Sequence, residues 1–125
     1  MSIATAVYEE GWLRIKLLEA TTSQELPAAI FPVIVSVLHR KERFRLFVDA
    51  TSVVAPPWAL LARLAAFIRM NRPAFASYLI GSALITPSKV VKKLLGMLFK
   101  LQKPVAPNIV CDTVREGADF LKSLS

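Results

Sequence analysis

An α/β fold with a mixed sheet is what this sequence predicts: an N-terminal β-hairpin, then alternating helices and strands with the helices packed on the sheet. Three observations point there. The first apolar segment alternates with period two; the later ones switch between helical spacing and short runs without it; and each predicted helix begins at cap or proline chemistry.

In "ATAVYEEGWLRIKLLEA", Trp12, Arg14, Lys16 and Leu18 face one way and Leu13, Ile15 and Leu17 the other, which predicts a hairpin over 4–9 and 12–19 turning at Glu10 and Gly11. Thr22 and Glu25 have the spacing of a capping box. Ala29, Ile30, Val33, Ile34, Val37 and Leu38 then recur at helical spacing, predicting a helix to about Lys41 that Pro27 and Pro32 make irregular. "RFRLFVDA" has no helical period and reads as a buried strand. Pro57 suits the first turn of a helix to Met70, with Leu60, Leu61, Leu64, Phe67 and Ile68 as its apolar stripe and Asn71 and Pro73 ending it. "SYLIGSALIT" is the next strand, in which Gly81 marks a close approach of a neighbouring element. Thr86 and Pro87 open a helix to about Lys103, and "PNIVCD" is the last strand. Thr113 and Glu116 then cap a final helix expected to bury Val114, Ala118 and Leu121, with Gly117 weakening it slightly.

The length of 125 residues fits a single domain, 1–125, and a hydrophobic content of 54% supports a full core. The most lipid-like window, residues 26 to 38, is shorter than the roughly 18 residues a bilayer span needs and holds two prolines. The N-terminus lacks a basic and then apolar leader, so a cytoplasmic location is expected. One cysteine, Cys111, excludes an internal disulfide and reads as a small buried hydrophobe.

The inventory for catalysis is thin, and the expectation is that the protein is not an enzyme. His39 stands at the polar end of the first helix, where a cation complements the helix terminus; Glu9 and Glu10 share a turn; and no glycine-rich phosphate loop, metal-ligand cluster or cofactor motif is present. Asp49 sits just beyond the carboxyl end of a strand, where open α/β sheets bind ligands, or else it caps its own turn in "DATS". The candidate partner or ligand site is therefore Asp49, Thr51, Ser52 and Trp58.

The net charge of +7 is unevenly spread. Between Asp49 and Asp112 there is no acid, while Arg63, Arg69, Arg72, Lys89, Lys92, Lys93, Lys100 and Lys103 are basic. On the helix from 88 to 103, Lys89, Lys92, Lys93, Lys100 and Lys103 gather on one side with Gly96 among them, opposite Val91, Leu94, Leu95, Leu98 and Leu101. Met97 and Phe99 lie off that stripe. The pattern suits a helix docked on a sheet with a solvated lysine face, or a surface for anionic lipid or an acidic protein. The basic residues are not interleaved with exposed aromatics as a stacking platform would require, which disfavours nucleic acid.

The segment "FRLFVDATSVVAPPWALL", together with "SYLIGSALITPSKVVKKLLGMLFKLQKP" and "NIVCDTVREGADFLKSL", resembles the SpoIIAA-like domains of the STAS superfamily, the fold of anti-sigma factor antagonists. The "PSKVVKKLLGMLFKLQK" region is also similar to the lipid-carrying Sec14-like (CRAL-TRIO) relatives of that fold. The resemblance implies a SpoIIAA-like mixed sheet and a regulatory module acting through protein contact. In the antagonist branch a serine at the start of the helix after this strand is phosphorylated to release a partner kinase. Here Pro56, Pro57 and Trp58 stand where an Asp-Ser-Ser run would, so the resemblance does not carry the phosphoacceptor over; Thr51 and Ser52 are the hydroxyls of the loop.

The sequence thus supports a non-catalytic STAS-like binding module for a protein partner, with a homodimer left open. Its rival is a peripheral protein that binds anionic membrane through the lysine face. A third reading, an enzyme with substrate at Asp49, requires a pocket around a perturbed acid there.

Overall fold

The computed structural model describes residues 4–18, 25–52, 58–101 and 103–124. A five-stranded sheet in the order β1-β2-β3-β4-β5 is built from β1 (Ala4–Glu9), β2 (Trp12–Leu17), β3 (Phe44–Asp49), β4 (Leu79–Ile85) and β5 (Asn108–Cys111). β1 and β2 are antiparallel; every other neighbouring pair is parallel. The hairpin turns at Glu10 (φ 52) and Gly11 (φ 79), and two successive positive φ angles are what a tight right-twisted hairpin requires.

The helices are α1 (Glu25–Leu38), α2 (Trp58–Met70), α3 (Arg72–Tyr78), α4 (Lys89–Leu101) and α5 (Val114–Lys122). The pleat and the register divide the sheet into two faces. Leu13 and Ile15 of β2 share one face with their partners Leu46 and Val48 of β3, then Ser82 and Leu84 of β4, then Val110 of β5. α1 and the Phe67 and Phe75 side chains of α2 and α3 pack on that face, and α4 joins it through Leu84 and Val110. Phe67 stacks on Phe31 at 4.0 Å between ring centroids and meets Phe75 edge to face at 6.0 Å. α5 covers the opposite face, where Phe47, Ala83, Ile85, Cys111 and Leu121 form a second core.

Several expectations change at the element boundaries. α1 stops at Leu38, before Lys41, because its exit tightens: the Arg40 and Lys41 amides donate to Val37 and Leu38 at 3.1 and 3.2 Å, and Lys41 turns to φ 56. Pro32 lies within α1 without ending it. Asn71 does end α2, its side chain donating to the Phe67 carbonyl at 2.9 Å, but the chain re-enters a helix at once. That helix, α3, takes Ser77 and Tyr78 from the predicted strand, with Pro73 in its first turn, where a missing amide costs nothing. α4 is capped by Ser88 and not by Thr86: the Ser88 hydroxyl accepts from the Val91 amide at 3.2 Å, while Thr86 extends the sheet by donating its amide to Cys111 at 2.9 Å.

At α5 the capping box forms as expected, the Thr113 hydroxyl accepting from the Glu116 amide at 3.2 Å. Val114, however, is 49% exposed and not buried. The first turn of α5 is exposed throughout, and the helix meets the sheet only from Gly117 onward. The proposed box at Thr22, the prolines Pro56 and Pro57, and the side chains of Leu60, Leu61 and Leu101 lie outside the described residues.

Candidate functional site

The loop after β3 starts as an Asx turn. Asp49 Oδ1 accepts from the Thr51 amide at 3.0 Å and from the Thr51 hydroxyl at 2.5 Å, so the acid orders its own turn. Thr51 and Ser52 are exposed beside it, and Asp49 borders a hollow of about 250 Å³ with Arg14, Lys16 and Val7 on the open half of the α5 face. Trp58 begins α2, but its side chain and residues 53–57 lie outside the described residues. The structure thus brings Asp49, Thr51 and Ser52 together; for Trp58 it gives only the position in the chain.

The lysine face is also a real surface. Lys89, Lys93, Lys100 and Lys103 are exposed, and Val91, Leu94, Leu95 and Leu98 are buried opposite them. Lys92 differs: its ammonium pairs with the Asp112 carboxylate at the end of β5 and ties α4 to the start of α5. Of the two off-stripe residues, Met97 is 47% exposed, whereas Phe99 is half-buried against the helix core. A Cβ at Gly96 would meet nothing within 4 Å, in keeping with its place on the outer side.

Two features escape sequence reading. Arg45 donates Nε to the Leu121 carbonyl at 2.8 Å and Nη2 to the Leu124 carbonyl at 2.6 Å, closing the C-terminus of α5 from the middle of the sheet. Its guanidinium also stands 5.8 Å from the Trp12 ring. The only local signal was a cation between the apolar residues Phe44 and Leu46 of the strand. The second feature is a cavity of about 250 Å³ between the sheet and the helices on the α1 side. Leu46, Val48, Leu84 and Val110 line it and are half-buried, and Ile15 lines it as well, while Leu13 on the same face is sealed at 0% exposure. Ser82 and Asn108 are the only polar side chains in its described wall.

Among the described residues no cluster of three or more histidine, cysteine, aspartate or glutamate side chains is placed to hold a metal, and no helix is long and apolar enough to cross a membrane. Cys111 is buried at 4% exposure, and burial, reinforced by the nearby Glu116 carboxylate, pushes its thiol pKa up. His39 is exposed just beyond α1.

An antiparallel hairpin feeding alternating helices and strands into a mixed five-stranded sheet is the SpoIIAA-like arrangement of the STAS fold. The chain is similar to a crystal structure of an anti-sigma factor antagonist from Mycobacterium paratuberculosis, with a TM-score of 0.62 and 15% sequence identity over 96% of this chain and 93% of that one. No protein-family model matches the sequence, and no curated protein matches it.

Proposed function

We propose that this chain is a non-catalytic regulatory module that acts by binding a protein partner through the loop after β3. The observation that carries the reading is the likeness along 96% of the chain to a protein named as an anti-sigma factor antagonist. The ordered Asp49–Thr51 turn supports it by presenting Thr51 and Ser52 outward at the carboxyl end of a strand. An acidic partner suits the +7 charge. Because Pro56, Pro57 and Trp58 occupy the segment where the antagonist branch carries its serine, the contact is not switched by phosphorylation at that point. A photo-crosslinking residue placed at Ser52 in cells tests the proposal, with the same residue at exposed Arg115 as control. One defined protein captured from Ser52 and not from Arg115 is expected; equal labelling from both positions overturns it.

A second reading is favoured by exposed Val90 (60%) and Met97 (47%) among the lysines of α4: peripheral contact with anionic membrane. Each lysine near such a surface contributes about 1 kcal/mol. Flotation with phosphatidylserine vesicles tests it. Salt-sensitive binding lost in Lys89→Glu/Lys93→Glu supports this reading, and absence of flotation removes it. Lys92 is left intact because its pairing with Asp112 is structural.

A further inference from the structure

We infer that the cavity between the sheet and helices α1, α2, α3 and α4 is a binding site for a single unbranched medium-chain carboxylic acid, of about ten carbons. The inference is independent of both readings above. The described wall favours an apolar guest over ordered water: Ser82 and Asn108 are its only polar side chains, and apolar cavities stay dry or take apolar guests. The size sets the guest. An apolar cavity of about 150 Å³ accepts six-carbon benzene, so at the same space per carbon about 250 Å³ accepts about ten carbons, too few for the two tails of a phospholipid.

The entrance selects the head group. Pro104 is the one exposed residue in the described wall, so the loop between α4 and β5 borders the cavity at the surface. Lys103 precedes it and is exposed, Lys100 lies at the end of α4, and the Arg72 guanidinium of α3 donates to the Lys103 carbonyl at 2.8 Å. No carboxylate lies in the described wall, and none occurs in the sequence between Asp49 and Asp112. An apolar tail inside and a carboxylate at a cationic rim match this arrangement, and both ends contribute to binding.

Calorimetric titration of the purified chain with straight-chain acids from hexanoate to hexadecanoate tests the inference. One acid is expected per chain, with affinity rising about fourfold per added methylene up to about ten carbons and levelling or falling beyond. Lys103→Gln, a surface change, should weaken decanoate three- to tenfold and leave decanol unchanged. Val110→Phe should fill the space, weaken decanoate at least tenfold and leave the melting temperature equal or higher. Affinity that climbs without a break to hexadecanoate overturns the inference, as does undiminished decanoate binding by folded Val110→Phe or a two-chain phospholipid recovered from the purified protein by organic extraction. Should Val110→Phe fail to fold, the chain-length break and the Lys103→Gln comparison decide the matter.

Discussion

Gly117 of α5 lies directly on Ile85 of β4: a Cβ built on the glycine would stand 2.4 Å from Ile85 Cδ1 and 3.3 Å from both Ala83 Cβ and Phe47 Cε2. The glycine is therefore the point at which the last helix seats on the sheet. Gly117→Ala gains about 1 kcal/mol of helix propensity but forces an overpacked contact costing about 1–3 kcal/mol against a fully buried isoleucine. Urea denaturation is expected to show a net loss of about 1 kcal/mol, and a gain in stability would mean that α5 is free to lift away.

Arg45 fixes the other end of the same helix. Arg45→Met keeps much of the aliphatic stem while removing both hydrogen bonds to the Leu121 and Leu124 carbonyls. Hydrogen bonds from charged donors contribute about 1.5–3 kcal/mol each, less where water replaces them, so a loss of about 2 kcal/mol is expected. Hydrogen exchange should show its largest increase at the amides of α5.

The hairpin carries an avoidable cost at Glu10, a non-glycine residue at φ 52. Asparagine tolerates that conformation better, and Asn-Gly is the preferred pair for a two-residue turn with positive φ. Glu10→Asn should stabilise the protein by about 0.5–1 kcal/mol, read as a rise in urea midpoint with an unchanged slope.

Asp49→Ala removes the carboxylate oxygen that accepts both hydrogen bonds ordering the turn after β3. Because the loop is exposed, the expected loss is only about 0.5–1.5 kcal/mol, with increased proteolysis near Thr51. If Asp49 instead held a ligand at the cost of stability, the alanine variant would be the more stable one.

Cys111 gives a pH prediction. Its folded pKa is raised, so above the ordinary thiol range the native state holds a proton that the unfolded chain has released. Stability is then unaffected at neutral pH and falls as pH rises through and beyond about 8.5, and Cys111→Ala should flatten that slope. Native thiol alkylation at pH 8 should be far slower than in urea, as buried thiols are.

Much of this architecture is local and was legible. The period-two arm of β2 predicts its buried residues one by one: Leu13, Ile15 and Leu17 all face the core. The Thr113–Glu116 box, the Glu10–Gly11 turn and the amphipathic α4 follow from interactions spanning four residues or fewer, or from a single helix's own geometry. α3 escaped for an equally local reason: Pro73 reads as a terminator, and only the break at Asn71 shows that it begins a new helix instead.

What the sequence alone determined, then, is the order of every element but α3, the inward face of most of them and the cationic outer side of α4, because periodicity and capping act within a few residues of the chain. Tertiary structure decided that Arg45 closes a helix 76 residues away, and that the α1 side of the sheet leaves a cavity with Pro104 in its wall. Such features depend on how far apart packed elements come to rest, a distance set by side chains remote in sequence meeting across the core, which no local pattern records.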